Sequence, residues 1–208
     1  MKRNKIWMAV LLLMAFTSCV KTEFHYVDDS LKVWFVDHDK AEFLVRDESG
    51  ITREFTVSDT TVAVIPGWSY FLFIKTDDDL CQSIFQNGWA TYYEGNAFNL
   101  AVTNYYDQST HFSLYFYDVC FTIDVDNGQF SCTECLDEKS LGGTVPCTLE
   151  MLDTYEVNGK VYHGVMHFKV SDWNAVNSRN TFPSELYYAQ HYGPIEYELG
   201  GDVRIKRL

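Results

Sequence analysis

Apolar and polar residues alternate along most of the chain with a period of two, which is typical of β-strands that bury one face. Clusters of turn-forming residues separate the alternating runs. In the first half of the chain the pattern predicts five strands, at Leu31–Val36, Ala41–Arg46, Ile51–Val57, Thr60–Ile65 and Trp68–Ile74. The fold is therefore predicted to be mainly β.

Three segments depart from this period. Asp78–Gln86 is predicted to form a helix, because its aspartates suit an N-cap and Leu80 and Ile84 share a helical face. A second helical turn is predicted at Ser171–Val176. Residues 86–108 are rich in Asn, Tyr and Gly, and we interpret them as a long irregular excursion.

Three turn signals set strand registers in the second half of the chain. Asn127-Gly128, as a two-residue turn, places Cys120 directly opposite Cys135. Asn158-Gly159 sets a second hairpin, and a three-residue loop at Gly200–Asp202 sets a third. The further pairs that follow are Ile123 with Cys132, Tyr155 with Tyr162, Met151 with Met166, Glu150 with His167, Leu199 with Val203, Glu198 with Arg204, and Glu196 with Lys206.

Successive hairpins predict an antiparallel meander, curled into a sandwich or open barrel around aromatic side chains, with one or two short helices. The chain contains 14 Tyr, 15 Phe and 5 Trp, and aromatic residues favour strands. We expect residues 31–208 to form one β-rich domain, and two lobes, 31–108 and 109–208, are the alternative.

The N-terminus has a different pattern. Three cations precede eleven uninterrupted apolar residues, 6–16. A membrane-spanning helix needs about 20 such residues, so this run is too short to cross a bilayer. A basic start followed by a short apolar run is instead typical of a secretion signal.

Two small residues, Thr17 and Ser18, come directly before Cys19. This arrangement predicts that residues 1–18 are a bacterial lipoprotein signal peptide and that Cys19 becomes the acylated residue, carrying palmitate-type chains. Residues 19–30 are then a lipidated polar tether. An ordinary secretory signal with an incidental cysteine is the alternative interpretation.

Charge narrows the range of partners. The full chain has a net charge of −13, and loss of the three signal-peptide cations changes it to −16. Such a protein repels phosphate backbones, so nucleic acid is excluded as an expected partner. It also repels anionic lipid, and the N-terminal lipid is therefore the expected attachment to the membrane.

The C-terminal third resembles a known pattern. Tyr155–Tyr162 contains the Asn-Gly turn, and Leu186–Tyr197 contains Tyr-Tyr-Ala and a later glycine. Together they resemble uncharacterised cell-envelope lipoproteins of Bacteroidales. His191-Tyr192 and Pro194 depart from that family's pattern. The resemblance implies a β-rich envelope lipoprotein, and it carries over no catalytic residue.

Five cysteines follow Cys19, and the bacterial envelope permits disulfides. Cys120 and Cys135 are the candidate disulfide, while Cys132 and Cys147 either pair or remain buried thiols. Zinc binding and a redox Cys-x-x-Cys pair are alternatives. The register argues against zinc because Cys132 faces the opposite way, and a redox pair needs a helix N-terminus. No metal and no cofactor are predicted.

One segment has the composition of a binding surface. The candidate ligand contacts in it are Trp89, Tyr92, Tyr93, Asn96 and Asn99. Sugar faces stack on aromatic rings and sugar hydroxyls bond to amides, so these residues suit glycan or protein contacts. The alternative is a loop that folds its rings back onto the sheet.

The chain has no Gly-x-Ser-x-Gly elbow and no phosphate-binding loop, and no carboxylate pair is marked out by its context. We therefore expect a non-enzymatic lipoprotein of the outer membrane or cell surface, with a structural or ligand-binding role and a glycan or an envelope protein as its partner. One alternative is a surface glycan-binding accessory protein for polysaccharide uptake. The other is a secreted hydrolase that uses paired carboxylates.

Overall fold

The computed structural model describes residues 21–71, 74–91, 97–105, 109–137, 140–176, 182–200 and 203–208. The predicted signal peptide and the lipidation residue Cys19 lie outside these ranges. So do three of the candidate ligand contacts, Tyr92, Tyr93 and Asn96.

The described part of the chain is mainly β, as predicted, and contains fifteen strands and three short 3₁₀ helices. The strands are β1 Lys21–His25, β2 Glu42–Asp47, β3 Thr52–Val57, β4 Thr61–Phe71, β5 Ile74–Ala90, β6 Phe98–Asn104, β7 Thr110–Phe116, β8 Val119–Asp124, β9 Gln129–Asp137, β10 Ser140–Thr144, β11 Cys147–Val157, β12 Lys160–Val170, β13 Pro183–Ala189, β14 Gly193–Leu199 and β15 Val203–Arg207. The 3₁₀ helices are Asp29–Trp34, His38–Lys40 and Trp173–Ala175.

The strands belong to one sheet with the order β10-β9-β8-β7-β6-β5-β3-β2-β15-β14-β13-β12-β11. Neighbours along this path are antiparallel, while β1 pairs with β5 in parallel and β4 also pairs with β5. The sheet is open, with β10 and β11 at its two ends. The predicted antiparallel meander in an open arrangement is confirmed.

Aromatic side chains join the two halves of this sheet, β5–β10 and β11–β15. Phe121 of β8 stacks on Phe168 of β12 with ring centroids 4.4 Å apart. Phe116 of β7 meets Tyr197 of β14 edge-on at 4.9 Å. All four rings are almost completely buried in one cluster that draws residues from both halves of the chain. We call this cluster the aromatic core.

The predicted helix at Asp78–Gln86 is wrong, because these residues lie within the long strand β5. Leu80 and Ile84 are four residues apart, and that spacing puts two side chains on one face of a strand as well as of a helix. The irregular excursion predicted over 86–108 is also wrong in part, since β5 continues to Ala90 and β6 begins at Phe98.

The strand predicted at Leu31–Val36 is instead a 3₁₀ helix followed by an extended segment. The Asp28 carboxylate caps this helix by accepting from the Ser30 backbone N–H at 2.8 Å. The buried Gln86 amide pairs with both the N–H and the C=O of Val36, at 2.8 and 3.0 Å. The Gln86 side chain thus satisfies the backbone N–H and C=O groups of Val36 that a neighbouring strand would otherwise pair with. Strand β1 lies within the stretch interpreted as a tether.

The hairpin between β8 and β9 has a longer turn than predicted. The Asp124 carboxylate accepts from the N–H groups of Asp126 and Asn127, both at 3.1 Å, and Asp124 pairs with Gln129. Four residues therefore form the turn, and Cys120 lies opposite Thr133 instead of Cys135. A register shift of two leaves every side chain on its predicted face.

The other two registers are confirmed. The Asn158-Gly159 hairpin pairs Tyr155 with Tyr162 and Glu150 with His167, as predicted. The β14–β15 hairpin pairs Glu198 with Arg204 and Glu196 with Lys206, and the predicted helical turn is the 3₁₀ helix Trp173–Ala175.

Replacing Gly88 by Ala should destabilise the protein. A Cβ atom there would lie 2.6 Å from Phe98 Cδ1 and 2.9 Å from Phe55 Cε1, and both rings are buried. We expect a loss of about 2–3 kcal/mol in the free energy of unfolding, measured by urea denaturation. Gly143→Ala is the matched control, because a Cβ atom there has nothing within 4 Å. Equal stability of the two variants would contradict this packing.

Candidate functional site

The strands β5–β9 have one face on the aromatic core and one face turned away from it, which we call the outer face. On β5, Ile84 and Gln86 point inward, and Asn87 and Trp89 point outward. Inward Phe98 and Leu100 of β6 alternate with outward residues in the same way. This period of two places polar and aromatic side chains in rows across the outer face.

One of these rows crosses four strands. Asn87 of β5 pairs with Asn99 of β6, Asn99 with Tyr115 of β7, and Tyr115 with Cys120 of β8. Trp89 lies two residues further along β5, on the same face. Because neighbouring strands are about 4.8 Å apart, Asn87 and Tyr115 are separated by roughly 10 Å across the sheet. The candidate binding face consists of Asn87, Trp89, Asn99 and Tyr115.

Two large rings on this face remain accessible. Trp89 is 43% exposed and Tyr115 is 40% exposed. Between them the Asn99 side-chain NH₂ donates to the Asn87 side-chain oxygen at 2.7 Å. This bond fixes the orientation of both amides, and each amide keeps one further polar group with which to bind another molecule.

Tyr115 and Cys120 are neighbours in this row, and their surroundings shift their pKa values in opposite directions. Hydrogen bonds from Cys135, Thr122 and Tyr115 lower the pKa of the Cys120 thiol to about 6. The charge of Cys120 together with burial raises the pKa of Tyr115 to about 12. The Tyr115 hydroxyl therefore stays protonated at neutral pH. Its O–H group donates to Cys120, and its oxygen can still accept a hydrogen bond from another molecule.

The structure brings together two of the five predicted ligand contacts. Trp89 and Asn99 share the outer face, whereas Tyr92, Tyr93 and Asn96 lie outside the described residues. Tyr115 was not predicted as a contact. The alternation around it, with Leu114 and Phe116 buried on either side, was the signal in the sequence that it points outward.

A second polar cluster lies on β12–β15, on the face turned away from the aromatic core. Three carboxylates converge on Arg204, which lies 2.7 Å from Glu185, 2.8 Å from Glu196 and 3.2 Å from Glu198. His167 Nε2 lies 2.9 Å from Glu185 Oε1. We call these five residues the arginine cluster.

An aromatic stack covers part of the arginine cluster. The His167 ring is parallel to the Tyr187 ring, with centroids 4.2 Å apart, and Tyr187 stacks on Tyr155 at 4.0 Å. Glu196 is only 2% exposed. The predicted partner of His167, Glu150, lies 3.7 Å from its Nδ1, and Glu185 and Tyr187 are further partners that the sequence did not predict.

The pKa values of the arginine cluster bear on whether its carboxyl groups could catalyse hydrolysis. Burial alone would raise the pKa of Glu185, but the hydrogen bond with His167 and the charges of Lys169 and Arg204 lower it overall. The pKa of Arg204 is raised, because bonds to Glu198 and Glu196 outweigh its burial. Glu185 is thus held as a carboxylate. A hydrolase with paired carboxylates needs one carboxyl group with a raised pKa as its acid, and Glu185 has the opposite property.

The predicted cross-strand register of Cys120 and Cys135 is wrong. Cys120 and Cys135 are not directly opposite, since Cys120 faces Thr133 and the backbone N–H of Cys135 donates to Asp118 at 2.8 Å. They nevertheless share the outer face, where both are free thiols that are not at bonding distance. Cys132 faces the aromatic core, as the alternation predicted. In the described ranges no three His, Cys, Asp or Glu side chains are grouped as metal ligands.

Fold and site together define a mainly β protein with an aromatic and amide-bearing outer face. No protein-family model, curated protein or solved structure matches the chain. Across the described ranges, no helix has the length and apolar character needed to span a bilayer.

Replacing Arg204 by Ala should cost about 3 kcal/mol of unfolding free energy at pH 7, because Glu196 would remain buried without its closest cation. Lys206→Ala is the control, since Lys206 is more exposed and lies 3.9 Å from Glu196, and it should cost less than about 1 kcal/mol. Urea denaturation measures both.

The cost of Arg204→Ala should also depend on pH. The pKa of Glu185 is lowered from 4.5 in the folded protein, so its contribution to stability is complete above that value and is lost as the pH falls through the folded pKa. The wild type and the variant should therefore keep a constant difference in stability from pH 7 down to about pH 4.5 and approach one another as the pH falls below that value. A difference independent of pH would show that the arginine acts through packing alone.

Proposed function

We propose that the protein is a lipid-anchored lipoprotein of the bacterial envelope, held at the outer membrane or cell surface through Cys19, and that its domain binds carbohydrate on the outer face. The N-terminal pattern supports the anchor: a basic start, an apolar run too short to cross a membrane, and a cysteine directly after two small residues. The resemblance to Bacteroidales envelope lipoproteins agrees with this proposal.

The exposed pair Trp89 and Tyr115 carries the proposal for binding. Both rings project from one face of a rigid sheet, and the oriented amides of Asn87 and Asn99 lie between them. Apolar sugar faces stack on such rings, and sugar hydroxyls bond to the amides and to the Tyr115 hydroxyl. Trp89 and Tyr115 lie two strands apart in the sheet, so their spacing suits a chain of sugars better than one monosaccharide. The net charge of −13 favours neutral polysaccharides over acidic ones.

The arginine cluster does not favour the hydrolase alternative. Its carboxylates are tied to one guanidinium and packed under an aromatic stack, and the pKa of Glu185 is lowered. A role in glycan uptake, as an accessory binding protein without its own catalysis, agrees better with the outer face.

The proposal includes a disulfide between Cys120 and Cys135 at the margin of the outer face. The two thiols lie on the same face of neighbouring strands, and interaction with Cys135 lowers the pKa of Cys120 to about 6. A thiolate near neutral pH speeds exchange with an oxidising disulfide of the envelope. Such a bridge would hold β8 and β9 together beside Tyr115.

Carbohydrate binding can be tested with residues 20–208 on an array of neutral polysaccharides. We expect Trp89→Ala and Tyr115→Ala each to weaken binding of a retained glycan about tenfold, because each change removes one stacking ring. Tyr26→Ala is the control, since Tyr26 is an exposed ring outside the candidate binding face. Failure of the wild type to bind any polysaccharide would refute the proposed binding role.

The anchor has a separate test. Replacing Cys19 by Ala in the full chain should move the protein from the membrane fraction to the soluble fraction, because the acylated residue would be missing. Cys81→Ala should leave the protein in the membrane fraction. Membrane retention of the Cys19→Ala variant after a high-salt wash would contradict lipid anchoring.

A further inference from the structure

The two ends of the open sheet come close together at Cys132 and Cys147. Cys132 lies on β9, near one end of the strand order, and Cys147 begins β11 at the other end. The backbone N–H of Val145 donates to the Cys132 carbonyl at 2.9 Å, and Cys147 follows two residues later. The backbones of the two cysteines are therefore held next to each other.

Packing in the aromatic core also holds Cys132 and Cys147 close together. Cys132 lies opposite Phe121, which stacks on Phe168 at 4.4 Å. Phe168 in turn pairs with Leu149, two residues beyond Cys147 on the same face of β11. Cys132 is 1% exposed, and Cys147 is partly buried against the same cluster.

Both cysteines are free thiols in the structure. The interaction between them raises the pKa of Cys132 and lowers the pKa of Cys147. Cys147 is also the more accessible of the two, so it is the sulfur that an external oxidant reaches first.

We propose that Cys132 and Cys147 form a disulfide that joins the two ends of the sheet. In the first step the Cys147 thiolate attacks an oxidising disulfide, such as oxidised glutathione, forms a mixed disulfide with one half and releases the other half as a thiolate. Cys132 then loses its proton and attacks the Cys147 sulfur, which releases the second half. The protein loses two protons and two electrons, and the oxidant becomes two thiols.

The face on which each cysteine lies argues against pairing Cys132 with Cys135 or with Cys120. Cys132 and Cys135 are three residues apart on one strand, so they point to opposite faces. Cys120 points to the outer face, away from Cys132. Cys132 and Cys135 therefore belong to two different proposed disulfides, Cys132 with Cys147 and Cys135 with Cys120. This inference does not rest on carbohydrate binding.

The bridge can be mapped in the wild-type protein, oxidised with glutathione disulfide, by a non-reducing digest and mass spectrometry. Lys139 separates Cys147 from the other cysteines, and trypsin should yield peptides 76–139 and 140–160 linked through sulfur. Cleavage at Asp124 and Glu134 then isolates Cys132 from both Cys120 and Cys135. We expect the peptide that contains Cys132 to carry the link. A peptide 140–160 that remains a free thiol, or a link to Cys120 or Cys135, would overturn the proposal.

Stability gives a second measurement. A cross-link lowers the entropy of the unfolded chain, so reduction of the oxidised protein should lower its Tm by about 5–10 °C. Both variants are made in a Cys120→Ala, Cys135→Ala background, so that the other proposed disulfide does not contribute. In that background Cys147→Ala should abolish this difference, and Cys81→Ala, which changes a cysteine outside the bridge, should preserve it. An unchanged difference in Cys147→Ala would assign the effect to another cysteine pair and refute the bridge.

Discussion

Packing of aromatic rings between the two halves of the sheet is the interaction on which the rest of the structure depends. Strands β10 and β11 end the hydrogen-bonded order, so within the described residues backbone pairing does not close the sheet. The halves are held together by rings such as Phe121 on Phe168 and Phe116 on Tyr197. Burying each ring contributes about 2–3 kcal/mol. This packing brings Cys132 beside Cys147 and turns the opposite faces of the sheet outward.

The outward faces of β12–β15 and of β5–β9 differ chemically because their polar side chains have different partners. On β12–β15 the carboxylates of Glu185, Glu196 and Glu198 all form ion pairs with Arg204. On the candidate binding face the polar side chains between the rings are the uncharged amides of Asn87 and Asn99, and Trp89 is 43% exposed. The ion cluster uses much of its hydrogen-bonding capacity internally, whereas exposed rings beside oriented amides keep theirs for a ligand. This contrast is the physical reason for placing the binding role on the outer face.

The predictions that succeeded were those that depend on local chemistry. An Asn-Gly turn and a glycine-rich loop set the registers of β11–β12 and β14–β15 correctly, including the pairing of Glu198 with Arg204. The β8–β9 register was wrong by two because the Asp124 side chain caps a four-residue turn, which a two-residue motif does not reveal. Leu80 and Ile84 suggested a helix because a spacing of four fits both a helix and a strand.

The sequence by itself determined which side chain of each strand turns inward, because the period of two survives any even error in register. It thereby placed Cys132 and Cys120 on opposite faces and included Trp89 and Asn99 among the candidate contacts. Only the tertiary structure decided what lies against them: Tyr115 beside Asn99, three carboxylates around Arg204, and Cys147 beside Cys132. These contacts join residues on different strands. The first two follow from which strands are neighbours in the sheet, and the third follows from how the aromatic core packs one half of the sheet against the other.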